Sequence, residues 1–271
     1  MTAQTANPLE AFRTAIKHRY LIQQLVAKEL RSKYRKSTLG LAWLIMNPLL
    51  LVGAYTLVFG VLLKVRWGGA SSTLEFSLIL HAGVMFYMFF YEIVSRSATL
   101  ISNNQSFVTK MVFPLEVFPW VVVIVATINF LVTLAVWTGL SWAIRGTFPA
   151  GILWVPVVFI PFALFCAGSC WFLSSLAAYK PDIEHALPVI LLMLMYMSPL
   201  LFPVEKASDA FRMVISLNPL TWVLESARST LISGQPPSLV YVVAAPVIGM
   251  AATWLGYASF IGNKRGFADV F

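Results

Sequence analysis

The sequence predicts an all-α polytopic membrane protein: six transmembrane helices, an N-terminal amphipathic interface helix, and two short re-entrant helices between helices five and six. Three observations lead there. Of 271 residues, 59% are hydrophobic and 11% charged, whereas a soluble domain carries about 25% charged residues. Mean hydropathy is +0.80. The apolar residues come in long uncharged runs, and about 20 such residues cross a bilayer. Third, eight of the nineteen Lys and Arg residues precede residue 37. They abut the first apolar run, and basic residues beside a span hold that end on the cytoplasmic side.

In chain order, residues 1–36 form a cytoplasmic N-terminal segment, polar and disordered at first. From residue 9 to 30, Phe12, Ile16, Tyr20, Ile22, Val26 and Leu30 recur at helical spacing, with Arg13, Lys17, Arg19 and Lys28 largely between them. That is an amphipathic helix with a basic face, suited to the membrane interface. It would serve either as an inside-positive anchor or as a docking surface for a cytoplasmic partner. No cleavable signal peptide is expected, because the first apolar run starts near residue 38 after a long polar segment.

Residues 37–271 form the six-helix domain, with spans expected near 39–63, 76–95, 117–144, 151–179, 186–202 and 239–261. With both termini inside, thirteen of the nineteen Lys and Arg residues face the cytoplasm, in keeping with the positive-inside bias. The loop near 96–116 is then cytoplasmic. The segment 203–235 mixes charges with two short amphipathic pieces, 209–217 and 221–232, broken by Asn218-Pro219. Neither is long enough to span. They read as two short re-entrant helices at the outer mouth or, alternatively, as an external loop carrying a surface helix. Irregular backbone at membrane depth needs protein or a water-filled cavity around it.

Several kinds of chemistry lack their residues. There is no Gly-x-x-x-x-Gly-Lys-Ser/Thr loop, so this chain is not expected to hydrolyse ATP. There is no Gly-x-Ser-x-Gly elbow. His18, His81 and His185 lie far apart, and Cys166 and Cys170 are too few for a structural zinc site, so no metal site is expected. The two thiols share a helical face and read as packing residues. Asp182 and Glu184 read as a solvated turn and helix start. The basic charge sits beside a span rather than in a nucleic-acid-binding fold, so the expected surface partner is membrane lipid and not nucleic acid.

Glu92 is the one acid expected within a span. It lies one turn from Arg96, which points to an ion pair at the membrane edge more than to proton coupling. Aromatic stripes stand out on the first two spans: Trp43, Tyr55 and Phe59 with Asn47, and Tyr87, Phe90 and Tyr91. Such faces can stack on sugar rings while their polar tips bind hydroxyls. They can equally serve helix packing or an interfacial belt.

The run Lys28-Glu29-Leu30-Arg31-Ser32-Lys33-Tyr34-Arg35-Lys36-Ser37-Thr38-Leu39-Gly40-Leu41-Ala42-Trp43, followed by Asn47-Pro48-Leu49, resembles the opening of ABC-2 type polysaccharide export permeases. These are the membrane subunits that export O-antigen, teichoic acid or capsule. Asn104-Gln105-Ser106-Phe107-Val108-Thr109-Lys110-Met111-Val112-Phe113-Pro114 is similar to the family's cytoplasmic loop. Lys180-Pro181-Asp182-Ile183 resembles its turn before the fifth span, with Lys180 where an Arg is expected. Asn218-Pro219-Leu220 and Glu225-Ser226-Ala227-Arg228 resemble its outer region.

The resemblance implies an inner-membrane homodimer with two separate ATP-binding cassette subunits, which bind ATP and Mg; no cofactor is expected on this chain. It implies that Arg96, Asn104, Lys110, Phe113 and Pro114 couple to the ATPase, and that Asn218, Pro219, Glu225 and Arg228 belong to an outer gate. The cargo would be a lipid-linked polysaccharide, of O-antigen type on undecaprenyl diphosphate, moving through a channel between protomers. Arg31, Lys33, Arg35 and Lys36 are the candidates for its headgroup, since cations pair with phosphate. The alternatives are an ABC-2 exporter of a small molecule or lipid and, from a different class, a membrane transferase acting on polyprenyl-linked sugars.

Overall fold

A computed structural model describes residues 8–34, 37–62, 72–109, 113–200, 204 and 208–270. The described residues are helical, with turns between. They comprise α1 (Pro8–Lys17), α2 (Arg19–Tyr34), α3 (Trp43–Tyr55, continuing as a π-helical segment Thr56–Leu62), α4 (Thr73–Ser97), α5 (Gln105–Thr109) and α6 (Val117–Arg145). Then come α7 (Val155–Tyr179), α8 (Asp182–Tyr196), α9 (Asp209–Leu217), α10 (Pro219–Ser233), α11 (Leu239–Asn263) and α12 (Phe267–Val270).

Five of these stretches are long and apolar enough to cross a membrane: 43–62, 73–97, 117–145, 150–179 and 239–266. They coincide with the expected first, second, third, fourth and sixth spans. The expected fifth span begins earlier than its apolar run suggests. Asp182 and Glu184 sit in the first turn of α8, where the helix dipole favours acids. The helix ends at Tyr196 after 15 residues, a length of about 22 Å, and residues 201–203 lie outside the described set.

The expected single helix from 9 to 30 is two helices, parted at His18. Its apolar stripe divides: Ile16 and Tyr20 are exposed, while its later residues on α2 pack within the bundle. Ile22 and Val26 of α2 are buried against Val117, Val121 and Val125 of α6. On α1, the Ala11 carbonyl accepts from Trp120 Nε1 at 3.1 Å, and Thr14 shares a hydrogen bond with the Tyr257 hydroxyl at 3.2 Å. The basic segment is thereby fixed to α6 and α11.

The core is built around α4. Of its apolar stretch, 83% is buried, against 6% for α3. Ser72 caps it, accepting from the Glu75 amide at 3.1 Å, as expected for Ser-x-x-Glu before an apolar run. Phe86 and Phe89 meet Phe130 of α6 and Phe159 and Phe162 of α7, with Phe130 and Phe159 stacked at 4.2 Å. Tyr87 is buried and donates to the Leu191 carbonyl of α8 at 2.7 Å.

α7 and α11 pack backbone to backbone. Gly168 lies directly against Ala252, and Gly256 against Gly168. Lipid supplies no hydrophobic drive between helices, so small residues at a close crossing contribute van der Waals contact instead. Cys166 and Cys170 flank Gly168 as buried free thiols, in the packing role their spacing suggests.

One end of the bundle gathers α1, α2, α5, α12 and the α7–α8 turn. Lys264 pairs with Glu116, and the Tyr179 hydroxyl donates to the Asn263 carbonyl at 2.7 Å. The opposite end holds the α6–α7 turn, α9 and α10. There Arg145 lies 3.4 Å from Glu75 and donates to the Ile232 carbonyl at 2.9 Å. The loops that charge bias assigned to the cytoplasm thus share one end.

Candidate functional site

Three helices border an open cleft of about 590 Å³, with α3 on one side and α4 and α6 on the other. Its walls follow from helical spacing. His81, Met85, Met88, Phe89 and Glu92 form one face of α4; Ala126, Asn129, Phe130 and Thr133 form one face of α6. α3 contributes Asn47, Pro48 and Leu51, and Lys33 of α2 closes the basic end.

The polar groups at that end form a network. Asn129 Nδ2 donates to both carboxylate oxygens of Glu92, each at 2.9 Å. Lys33 Nζ lies 3.4 Å from the same carboxylate. The expected Glu92–Arg96 pair is present but long, at 3.9 Å. The close partner of Arg96 is Glu29 of α2, a tertiary contact that one-turn spacing could not indicate. Two acids and two bases therefore balance where α2 meets α4. Farther in, His81 is 1% exposed, and neither ring nitrogen has a partner among the described residues. The Asn129 Oδ1 is likewise buried without one.

The expected aromatic stripes divide. Asn47 and Tyr91 line the cleft. Tyr87 and Phe90 are buried in packing, Phe90 against Phe162 at 6.4 Å. Tyr55 and Phe59 lie 6.0 Å apart and pack on the core, and Trp43 donates to Ser37 Oγ at 2.7 Å. Among the basic candidates, Arg31 is exposed and Lys33 is in the network; Arg35 and Lys36 lie outside the described residues.

At the same end, the 96–116 loop folds as a turn, a short 3-10 helix Ser102–Asn104 and α5. Asn104 donates to the Leu100 carbonyl at 2.8 Å. Phe113 packs between Phe107, at 4.8 Å, and Phe118, at 5.1 Å. Pro114 offers its carbonyl to the Val117 amide at 3.0 Å. Lys110 lies outside the described residues. A second cleft, about 530 Å³, runs between α2 and this loop and includes Lys28, Glu29, Arg96 and Asn104.

At the far end, Asn218 breaks α9 from α10 as the sequence indicates. Its Oδ1 accepts from the Leu220 amide at 3.0 Å, and its Nδ2 donates to Ser198 Oγ at 2.9 Å. Pro219 opens α10, where its missing N–H costs nothing. Arg228 donates to the carbonyls of Pro199 and Leu200 and lies over Gly83 of α4. Glu225 is exposed and lines a cleft of about 310 Å³ with Trp222, Ser229 and Tyr241.

Sequence reasoning overlooked His81, Asn129, Thr133 and Glu29. A signal existed for the first three: polar residues inside apolar spans, Asn129 and Thr133 one turn apart. Glu29 was hidden because its partner lies 67 positions away.

Comparison with known proteins places this arrangement. The profile of the ABC-2 type transporter family matches residues 20–232. An O-antigen export system permease protein of Myxococcus xanthus, RfbA, is 25% identical over 260 residues, covering 95% of this chain and 97% of that protein. The RfbA of Klebsiella pneumoniae is 26% identical over 256 residues, covering 93% and 96%. The polysialic acid transport protein KpsM of Escherichia coli is 24% identical over 219 residues, covering 79% and 81%.

Proposed function

From the premise that this chain belongs to the ABC-2 type transporter family, we propose that it is the membrane subunit of an ATP-driven exporter of a lipid-linked polysaccharide. The observation that carries this reading is its similarity, along nearly its whole length, to O-antigen export permeases. Similarity to a polysialic acid transporter supports a polymer cargo more broadly.

In this reading the chain has both termini in the cytoplasm of the inner membrane and crosses six times, with α8 and the residues after it making the fifth crossing. Two copies face each other across a channel. α3 and α8 support that placement: both are apolar yet present Ile45, Leu49, Val58, Ile190 and Met193 on exposed faces. Asn47, Tyr55, Phe59 and Tyr91 line the path, and Trp43 stands at its cytoplasmic end. Arg31, Lys33, Arg35 and Lys36 meet an undecaprenyl diphosphate headgroup by charge-assisted hydrogen bonds. α9 and α10 re-enter from outside and gate the path through Asn218, Pro219, Glu225 and Arg228.

Two ATP-binding cassette subunits, carrying ATP and Mg, dock on α2 and the 96–116 loop. Their closure acts here only by preferring one conformation of the permease. Glu29 and Arg96 join α2 to the end of α4, so movement of the docked surface reaches the cleft.

The test is ATPase activity of the chain purified with and without the ATP-binding subunit encoded beside it, followed by transport in proteoliposomes. Hydrolysis only in the complex, with ATP-dependent movement of a lipid-linked glycan, is expected. A complex that hydrolyses ATP but moves lipids and no glycan would transfer the cargo to the lipid-exporter class.

A further inference from the structure

Two clefts at the end of the bundle opposite α1 and α2 share a wall. The polar one, about 310 Å³, is lined by Glu225, Ser226, Ser229 and Ser238. The apolar one, about 240 Å³, is lined by Phe162, Phe165, Pro219, Ala245 and Ile248. Trp222 of α10 and Tyr241 of α11 line both.

The clefts are stacked in depth. α11 begins at this end and runs to Asn263 at the basic end, so Ala245 and Ile248 lie deeper than Ser238. α10 runs the other way. Its last turn, at Thr230 and Gly234, meets Gly151 at the start of the fourth span, so Pro219 and Trp222 lie deeper than Ser229. Ser238 and Ile248 are ten positions apart, about 15 Å along a helix. That is half of a hydrocarbon core about 30 Å thick. Together the clefts form a groove one leaflet deep, polar at the surface and apolar below.

Its chemistry narrows the occupant. In the lower part the polar groups are already committed. The Tyr241 hydroxyl donates to the Val158 carbonyl at 2.9 Å, Trp222 Nε1 to the Ser216 carbonyl at 3.1 Å, and Ser216 Oγ to the Met213 carbonyl at 2.7 Å. A sugar there would strand its hydroxyls, whereas an acyl chain has none. In the upper part, Glu225 is exposed and is the one charged side chain among the described lining residues. A carboxylate favours a cationic group that can donate hydrogen bonds. A headgroup of net negative charge would meet Glu225 with no Lys or Arg in the described lining to offset it. A quaternary amine brings the charge but no N–H.

We propose that the groove between α10 and α11 binds a bilayer phospholipid whose headgroup carries a primary ammonium. The ammonium pairs with Glu225, the polar backbone of the lipid lies beside Ser229 and Ser238, and one acyl chain runs over Trp222 toward Ile248. This lipid is a resident of the surrounding leaflet and not the cargo.

The test uses the permease in complex with its ATP-binding subunit, delipidated in detergent. It is titrated with phospholipids of matched acyl chains bearing ethanolamine, choline or glycerol headgroups, and bound lipid is counted by native mass spectrometry. The ethanolamine lipid should bind about tenfold more tightly than the other two, the effect of one charge-assisted hydrogen bond. Glu225→Gln should abolish that preference and leave choline-lipid binding unchanged, which also shows that the variant is folded. A second readout locates the chain. The fluorescence of Trp222, taken as the difference between the unmodified complex and Trp222→Phe, should be quenched by brominated ethanolamine lipid at about a tenth of the concentration needed with brominated choline lipid. Equal affinity for the three headgroups (ordinary boundary lipid), a preference that survives Glu225→Gln, or equal quenching of Trp222 by both brominated lipids would each overturn the site. Neither readout involves transport, so failure of the exporter reading would leave this result standing.

Discussion

At the scale of single residues, Arg96 shows how a local pattern can find one partner and miss a closer one. Its spacing from Glu92 suits a helical pair, yet Glu29 of α2 is the close contact. Removing Arg96 leaves Glu29 and Glu92 facing each other, so Arg96→Ala should depress ATP-driven transport while ATP binding persists. Exchanging the charges, Glu29→Arg with Arg96→Glu, should recover part of the activity. Coupling energies of about 0.5–3 kcal/mol are usual for residues in one network, and transport rates of the single and double variants in proteoliposomes measure it. Asn218 offers a second case. It caps α10 and reaches Ser198, so Asn218→Ala should lower the thermal midpoint of the purified protein by the equivalent of about 1 kcal/mol. A Ser198→Ala variant, which leaves the cap intact, should cost less.

At the scale of helices, the α7–α11 crossing depends on the missing side chain at Gly168. An added methyl would meet the Ala252 backbone, which cannot move without parting the helices. Gly168→Ala should therefore destabilise by about 1–3 kcal/mol, the usual result of overpacking. Gly139, which an added methyl would leave in open space, should tolerate the same change. Thermal denaturation of both variants in one detergent decides between them. The N-terminal helices teach a related lesson. Periodicity located the apolar stripe of Ile22 and Val26, but only their burial against α6 shows that it serves packing within the bundle.

For the whole molecule, the contrast between α4 and α3 carries the assembly argument. A span with 6% of its apolar stretch buried has few partners inside its own chain. If α3 and α8 meet a second copy, single cysteines scanned through 189–196 of α8 should form disulfide-linked dimers with helical periodicity. Cysteines at Val243 and Val247 on the exposed face of α11 should then remain monomeric, since in that assembly α11 faces lipid. Cross-linking in native membranes, read on a gel, gives the answer. Equal linking from both helices would remove α8 from the interface.

Element types and most span boundaries were legible in the sequence because bilayer thickness and helical rise set them locally. The uncharged runs and Asn218-Pro219 each reported where a helix lies or ends. Charge asymmetry identified loops that do gather at one end of the bundle. The composition of the candidate cleft was not legible. Tyr87 and Phe90 share an aromatic stripe with Tyr91, yet they pack on α8 and α7 while Tyr91 reaches the cleft. A helix has two sides, and which one meets a neighbour depends on residues far away in the chain. Spacing along one helix therefore fixes which side chains point together, while the tertiary packing of α3, α4 and α6 decides that His81, Asn129 and Glu92 share a cavity.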